Sequence, residues 1–185
     1  NLCGALEFAE KLSKIGTQPI IGTQINFKYN NTTGLLPLFA LNEEGYKKII
    51  QLSSTSYLKN NESSEPHLDF NELLKVNDGV ALFSGTINGL FGKLFDKGKF
   101  TEIKDLYFKL KSNFEDKFYI EIQRHGDQNE SGFEKFNLTK SQDLKIPLIA
   151  TNEVFYLHKE MHEAHDALIC IKNKTYVNEK NRINF

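Results

Sequence analysis

Short stretches along the chain alternate apolar and polar residues, and others are almost continuously apolar. In "FYIEIQRHG" (118–126) every second residue up to Ile122 is apolar, which is the pattern of a β-strand. "GVALFSG" (79–85) and "IPLIATNEV" (146–154) are mostly apolar, as in strands buried on both faces. Pro37 lies in another such stretch and is expected only at the edge or the end of a sheet. The predicted strands span 19–29, 35–41, 79–85, 118–124 and 146–154.

The segments between these strands repeat apolar residues every three or four positions, as on one face of an α-helix. Asn1, Asn42 and Asp69 precede three of these segments and can cap them by accepting backbone N–H bonds. Gly16 is expected to follow the end of the first helix. The predicted helices span 2–15, 43–57, 70–74, 86–95, 101–113, 130–142 and 159–171. Because strands and helices alternate, the sequence predicts a parallel α/β architecture, and no repeat or domain boundary is recognisable.

The length, composition and charge of the chain limit the classes of protein to which it can belong. The 185 residues suffice for one domain with a sizeable core, and 39% hydrophobic with 25% charged residues is typical of a globular protein. The net charge of -1 gives no overall basic field of the kind that attracts nucleic acid. Cys3 and Cys170 form no CxxC motif, which favours a reducing cytoplasm. No apolar run is long enough for a membrane span and no secretory signal is recognisable, so we expect a cytoplasmic location without membrane contact.

Several predicted strands carry polar residues in or just after their ends, and these could meet at one mouth of a barrel. They are Gln24 and Asn26, then Ser84, Thr86 and Asn88, then His125, and finally Thr151, Asn152, Glu153 and His158. His125 could ligate a metal, but zinc needs about four ligands and no full set is recognisable around it. The alternative is a strand-end histidine that is satisfied by hydrogen bonds. Residues 85–92 match neither a P-loop nor a dinucleotide motif and predict a turn that opens a helix.

The segment "HKEMHEAHD" (158–166) is the densest group of metal-type side chains. His158, His162 and His165 share helical spacing, and two such imidazoles on one face could bind zinc. The spacing "HEAH" is one residue shorter than the HExxH motif of zinc proteases. A solvated helix face is therefore the favoured interpretation, and a hydrogen bond between His165 and Asp166 is a further alternative.

Several sequence segments together resemble one known protein family. They are "NLCGALEFAEKLSKIGTQPIIGTQINF", "LFALNEEGYKKIIQLSS", "GVALFSGTINGLFGKLF", "FYIEIQRHG", "IPLIATNEVFYL", "EAHDALICI" and "RINF". In this order they resemble the polymerase and histidinol phosphatase (PHP) domain of bacterial replicative DNA polymerase III α subunits, over essentially the whole chain. The resemblance implies a distorted seven-stranded β/α barrel. In the family a His-x-His motif and an Asp-His motif precede "NLCG", so residues 1–185 are expected to be a partial PHP domain, incomplete at its N-terminus.

The resemblance also indicates where metal ligands would lie. Family members with an intact site have Glu where this chain has Gln24, Cys where it has Thr86, and Asp-x-His where it has Glu153 and Phe155. Only His125 keeps a ligand type, with Glu153 as a possible substitute. Gln24, Thr86 and Phe155 are thus degenerate ligand positions, because they remove charge and donor atoms together. His125 and Glu153 would form a vestigial metal site, and we expect no phosphoester hydrolysis.

The function that the resemblance implies is that of a longer parent protein, of which this chain would be one piece. The resemblance implies a polymerase that performs DNA-directed DNA synthesis with Mg²⁺ held outside this chain. The present piece is expected to be inactive, to hold no cofactor, to support the polymerase core and to dock the proofreading exonuclease. The clamp, the clamp loader, DNA and dNTPs would be bound by other regions of the parent protein. The alternatives are a metal-dependent phosphoesterase or 3′–5′ exonuclease that uses Zn²⁺ or Mn²⁺, and a pure binding module.

Overall fold

A computed structural model describes residues 2–60, 64–179 and 182, and these fall into two compact units. The first unit extends to Thr151 and the second begins at Asn152. The sequence shows no boundary at this point, since the polar segment that follows Ala150 resembles other strand ends. Asn1, an expected helix cap, lies outside the described residues.

Strands and helices alternate through the first unit. Its strands are β1 (Gly22–Tyr29), β2 (Thr32–Ala40), β3 (Leu68–Asp69), β4 (Val80–Phe83), β5 (Phe118–Ile122) and β6 (Leu148–Ala150). Its helices are α1 (Ala5–Lys14), α2 (Glu43–Leu58), α3 (Phe70–Leu73), α4 (Leu90–Asp96), α5 (Phe100–Phe114) and α6 (Glu130–Leu144). The second unit contains a 3-10 turn (Lys159–Met161) and α7 (His162–Asn173). The predicted α/β class is confirmed.

The strands form a six-stranded mixed sheet in the order β3-β1-β2-β4-β5-β6, which is consistent with an incomplete PHP-type barrel. The expected purely parallel sheet is wrong for β2, which runs antiparallel to both β1 and β4. The cause is local, because only Asn30 and Asn31 separate β1 from β2 and so short a connection allows only a hairpin. Asn30 adopts a positive φ of 50°, as such turns require.

Pro37 lies in the interior of the sheet, opposite Gln24 of β1, so the expectation of an edge or end position is wrong. The β4 ladder pairs only with Leu38, Phe39 and Ala40. One side of β2 therefore has no ladder partner at Pro37, and a residue without an N–H is tolerated there.

Among the other local predictions, some are confirmed and others are wrong. Asn42 Oδ1 accepts the Gly45 N–H at 2.9 Å and Asp69 Oδ1 accepts the Asn71 N–H at 2.8 Å, so both predicted caps are confirmed. Helix α4 begins four residues later than predicted, because a turn that includes a hydrogen bond from Gly89 N to Thr86 O occupies its expected start. Strand β6 has only three residues and lies at a sheet edge with exposed ends, so its predicted burial on both faces is wrong.

Two helical glycines provide a matched test of this packing. A Cβ on Gly45 of α2 would overlap the carbonyl oxygen of Gly79, whereas a Cβ on Gly132 of α6 would make an ordinary 3.6 Å contact with Phe95. We expect Gly45→Ala to lower the free energy of unfolding by about 1–3 kcal/mol or more. Gly132→Ala should instead raise it by up to about 1 kcal/mol, because Ala favours helices. Urea unfolding measures both, and equal effects would contradict the close approach of α2 to Gly79.

Candidate functional site

The end of β4 is joined to β5 by the side chain of Ser84. Ser84 is fully buried; its N–H donates to Tyr119 O at 2.9 Å, and its Oγ accepts the Glu121 N–H at 2.9 Å. The backbone ladder between the two strands ends at the Phe83–Tyr119 pair. Beyond this pair, the Glu121 N–H of β5 therefore donates to a side-chain oxygen and not to a backbone carbonyl of β4.

A buried carboxylate lies next to this contact. Glu121 is only 5% exposed, and its Oε1 accepts hydrogen bonds from Gln123 Nε2 at 3.3 Å and from the Thr151 hydroxyl. Gln123 Nε2 also contacts Thr151 Oγ1 at 2.8 Å, and Thr151 N donates to Ile122 O at 3.1 Å. These contacts connect the end of β5 to the end of β6.

Sequence reasoning missed Glu121, because the alternation in β5 suggests a solvent-facing position. The available signal is that β5 has parallel partners on both sides, β4 and β6, and parallel sheets are usually covered on both faces. A polar residue on either face of such a strand can then be buried, and burial without a partner would be costly.

A small cavity of about 10 Å³ borders this network, about the room that one water molecule requires. Three carboxylates line it, from Glu121, Glu130 and Glu134. Arg124 binds Glu134 through Nε at 3.0 Å and Nη2 at 2.7 Å, and this hydrogen bonding holds the pKa of Glu134 below its usual value. Thr86 also lines the cavity.

His125 follows β5 in an exposed loop and does not line this cavity. Its backbone N–H donates to both carboxylate oxygens of Glu130, at 2.9 and 3.0 Å, and Gly126 N donates to the same side chain at 2.8 Å. Within residues 2–60, 64–179 and 182, the imidazole of His125 makes no hydrogen bond. The loop is thus fixed through its amides, and the imidazole lies at the surface.

The other predicted ligand positions of the first unit lie apart in the sheet. Thr86 follows β4, and its Oγ1 accepts the Asn88 N–H at 3.2 Å. Gln24 is an exposed residue of β1, and β2 separates β1 from β4. The structure therefore brings Thr86 close to Glu121 and Gln123, and it leaves Gln24 two strands away from Thr86 in the sheet.

In the second unit, aromatic rings accompany the helical histidines. The Phe155 ring stacks on His165 with centroids 5.2 Å apart and an interplanar angle of 29°. Tyr156 contacts the rings of His162 at 5.9 Å and His165 at 5.6 Å. Glu153 is exposed. Across the part of the chain that the structure describes, no three His, Cys, Asp or Glu side chains are grouped closely enough to hold a metal ion.

Asp166 has a partner that the sequence did not indicate. The guanidinium of Arg182 binds both carboxylate oxygens of Asp166, with Nη2 to Oδ2 at 2.7 Å. This hydrogen bonding holds the pKa of the Asp166 carboxyl below its usual value. Asp166 of the "HEAHD" segment is therefore engaged in an ion pair.

None of the helices in the described ranges combines the length and apolar character that crossing a membrane requires.

Comparison with known proteins gives consistent matches. The family profile of the PHP domain matches residues 1–125. The DNA polymerase III subunit alpha of Rickettsia felis is 37% identical over 172 residues, which cover 92% of this chain and 14% of that protein. The subunits of the same name from Caulobacter vibrioides and Borreliella burgdorferi are 34% and 31% identical, over 98% and 99% of this chain and 17% of each relative. The chain thus spans about a sixth of the length of these relatives.

The Asp166–Arg182 pair predicts a pH-dependent contribution to stability. Because the folded-state pKa of Asp166 is lowered, the pair stabilises the fold above about pH 4 and loses this effect as the pH falls through the folded-state pKa. A ¹³C-carboxyl NMR titration should show Asp166 titrating below its usual range, and Arg182→Gln should raise that pKa. Arg124→Gln, which breaks the pair with Glu134, is the control and should leave Asp166 unchanged. An unaltered titration in Arg182→Gln would contradict the ion pair.

Proposed function

Because the chain belongs to the PHP domain family, we propose that it is the PHP portion of a bacterial DNA polymerase III α subunit. The observation that carries this proposal is the coverage of its relatives, which extends over 92 to 99% of the chain at 30% identity or more. The parent would then catalyse DNA-directed DNA synthesis. Its Mg²⁺ ions would be held by carboxylates outside this chain.

We propose further that this PHP portion does not hydrolyse phosphoesters. At Gln24 a neutral amide stands where intact family sites have a carboxylate. Thr86 offers a hydroxyl that already accepts the Asn88 N–H, and the Phe155 ring, which has no donor atom, stacks on His165. A multinuclear metal centre needs clustered acidic and imidazole ligands, and these donors do not fit one.

The ligand-type residues that this chain keeps are too few to replace the ligands missing at Gln24, Thr86 and Phe155. His125 belongs to the first unit and Glu153 to the second, and the two donors that this chain offers fall short of the three or four that zinc requires. Two acidic side chains of α6 that contact the loop around His125 have other roles. Glu130 binds backbone amides and Glu134 binds Arg124. These contacts support a structural role for this end of the sheet.

A purely structural role of the PHP portion implies which partner protein the parent requires. A polymerase whose PHP domain lacks hydrolytic activity needs a separate 3′–5′ exonuclease for proofreading. The proposed role of the domain is therefore to support the polymerase core and to dock that exonuclease. The clamp, the clamp loader, DNA and dNTPs would contact other regions of the parent.

The decisive experiment uses the full-length parent protein. Because the site residues do not form a metal centre, His125→Ala should leave both the DNA synthesis rate and the content of tightly bound zinc and manganese unchanged. His67→Ala is the matched control, since its ring lies in a loop far along the chain from β5. Metal analysis and assays of synthesis and 3′–5′ hydrolysis measure the outcome. The parent should also co-elute with a purified proofreading exonuclease subunit.

Two results would overturn this proposal. Stoichiometric zinc or manganese together with phosphoesterase activity that disappears in His125→Ala would favour the metal-dependent phosphoesterase. Failure of the parent to bind the exonuclease subunit would remove the docking role, although the polymerase assignment would stand if synthesis is observed.

A further inference from the structure

A surface groove of about 540 Å³ runs between α5 and α6, away from the strand ends described above. It is lined by Phe100, Thr101 and Lys104 from α5 and by Phe136, Thr139, Lys135 and Lys140 from α6. Neither the PHP assignment nor the polymerase proposal gives this groove a function.

An exposed aromatic ring lies in the groove. Phe100 is 47% exposed, although Phe95 and Phe136 hold it with ring centroids at 5.3 and 5.7 Å. An apolar ring that is supported by neighbours and still faces water provides a rigid surface on which a flat ligand can stack.

The charged side chains that line the groove are lysines. Lys104 and Lys135 are exposed, come from opposite helices and form no ion pair with any residue that the structure describes. Lys140 is partly neutralised, because its Nζ binds Asp143 at 2.8 Å and lies 5.8 Å from the Phe136 ring centroid. Among the residues that the structure describes, no carboxylate lines the groove, so its electrostatic complement is an anion.

We propose that the groove between α5 and α6 binds single-stranded nucleic acid, with a base stacked on Phe100 and phosphates neutralised by Lys104 and Lys135. Aromatic rings between lysines are the usual means of holding single strands without sequence preference. The hydroxyl of Thr101 can donate to a phosphate oxygen, whereas that of Thr139 already donates to Lys135 O at 3.0 Å. An acidic peptide would use the lysines but would gain little from an exposed ring of this kind.

The contact is a local one. The chain carries a net charge of -1, so it has no long-range field to attract DNA, and two lysines alone give weak binding. Such a contact becomes useful when a larger assembly keeps a single strand close, which raises its effective concentration. The inference goes beyond the proposed polymerase assignment, and its failure would leave that assignment intact.

The test measures binding of a fluorescent oligothymidylate to the 185-residue chain by anisotropy at low salt and over a salt series. With two phosphates neutralised, log K should fall with log salt at a slope of about -1.4. Lys104→Gln and Lys135→Gln should each reduce the steepness of that slope by about 0.7. Phe100→Leu should weaken binding about tenfold, because it removes base stacking.

Two residues on α5 provide matched controls. Phe108 and Lys109 are exposed and lie outside the groove, so Phe108→Leu and Lys109→Gln should leave affinity and salt slope unchanged. Circular dichroism checks that each variant keeps its helical content.

Three results would overturn the proposal. One is the absence of oligothymidylate binding to the wild-type chain at low salt. Another is an equal loss of affinity in the groove variants and in their controls. The third is displacement of the oligonucleotide by an oligoglutamate of equal charge as effectively as by unlabelled oligothymidylate, which would indicate an acidic peptide as the occupant.

Discussion

The hydroxyl of Ser84 connects β4 to β5 at the point where their backbone ladder stops, and the polar contacts at this end of the sheet depend on it. By accepting the Glu121 N–H it fixes the strand position from which the Glu121 side chain reaches Thr151 and Gln123. A buried carboxylate is costly without partners, and here Gln123 and Thr151, which follow β5 and β6, supply neutral donors. Hydrogen bonds between the strand ends thus engage Oε1 of this buried carboxylate.

This arrangement bears on the proposed function. In a phosphoesterase, carboxylates and imidazoles at strand ends would be available to bind cations. Here Glu130 and Glu134, which line the same small cavity as Glu121, bind backbone amides and Arg124. Side chains with these partners hold the loop after β5 in place. A PHP portion that supports a polymerase, and does not itself hydrolyse phosphoesters, agrees with these contacts.

Local features of the fold were predictable and non-local ones were not. The caps at Asn42 and Asp69 follow from the few residues around them, and so do the helices that they start. The direction of β2 follows from its two-residue connection to β1, which the predicted strand bounds of 19–29 and 35–41 did not reveal. The interior position of Pro37 depends on which strands become neighbours, and periodicity gives no information on that. At the site, His125 was recognisable by its residue type, whereas the burial of Glu121 requires knowledge of both flanking strands. The Asp166–Arg182 pair joins residues 16 positions apart, and no motif indicates it.

The most direct measurement of the central claim is the unfolding free energy of Ser84→Ala. If the hydroxyl holds the ends of β4 and β5 together, its removal leaves the buried Glu121 N–H without an acceptor, and stability should fall by about 1–3 kcal/mol. Thr55→Ala is the control, because it removes an exposed hydroxyl that bonds only to Gln51 O within α2. A Ser84→Ala chain as stable as the wild type, or one that loses no more than Thr55→Ala does, would contradict the claim.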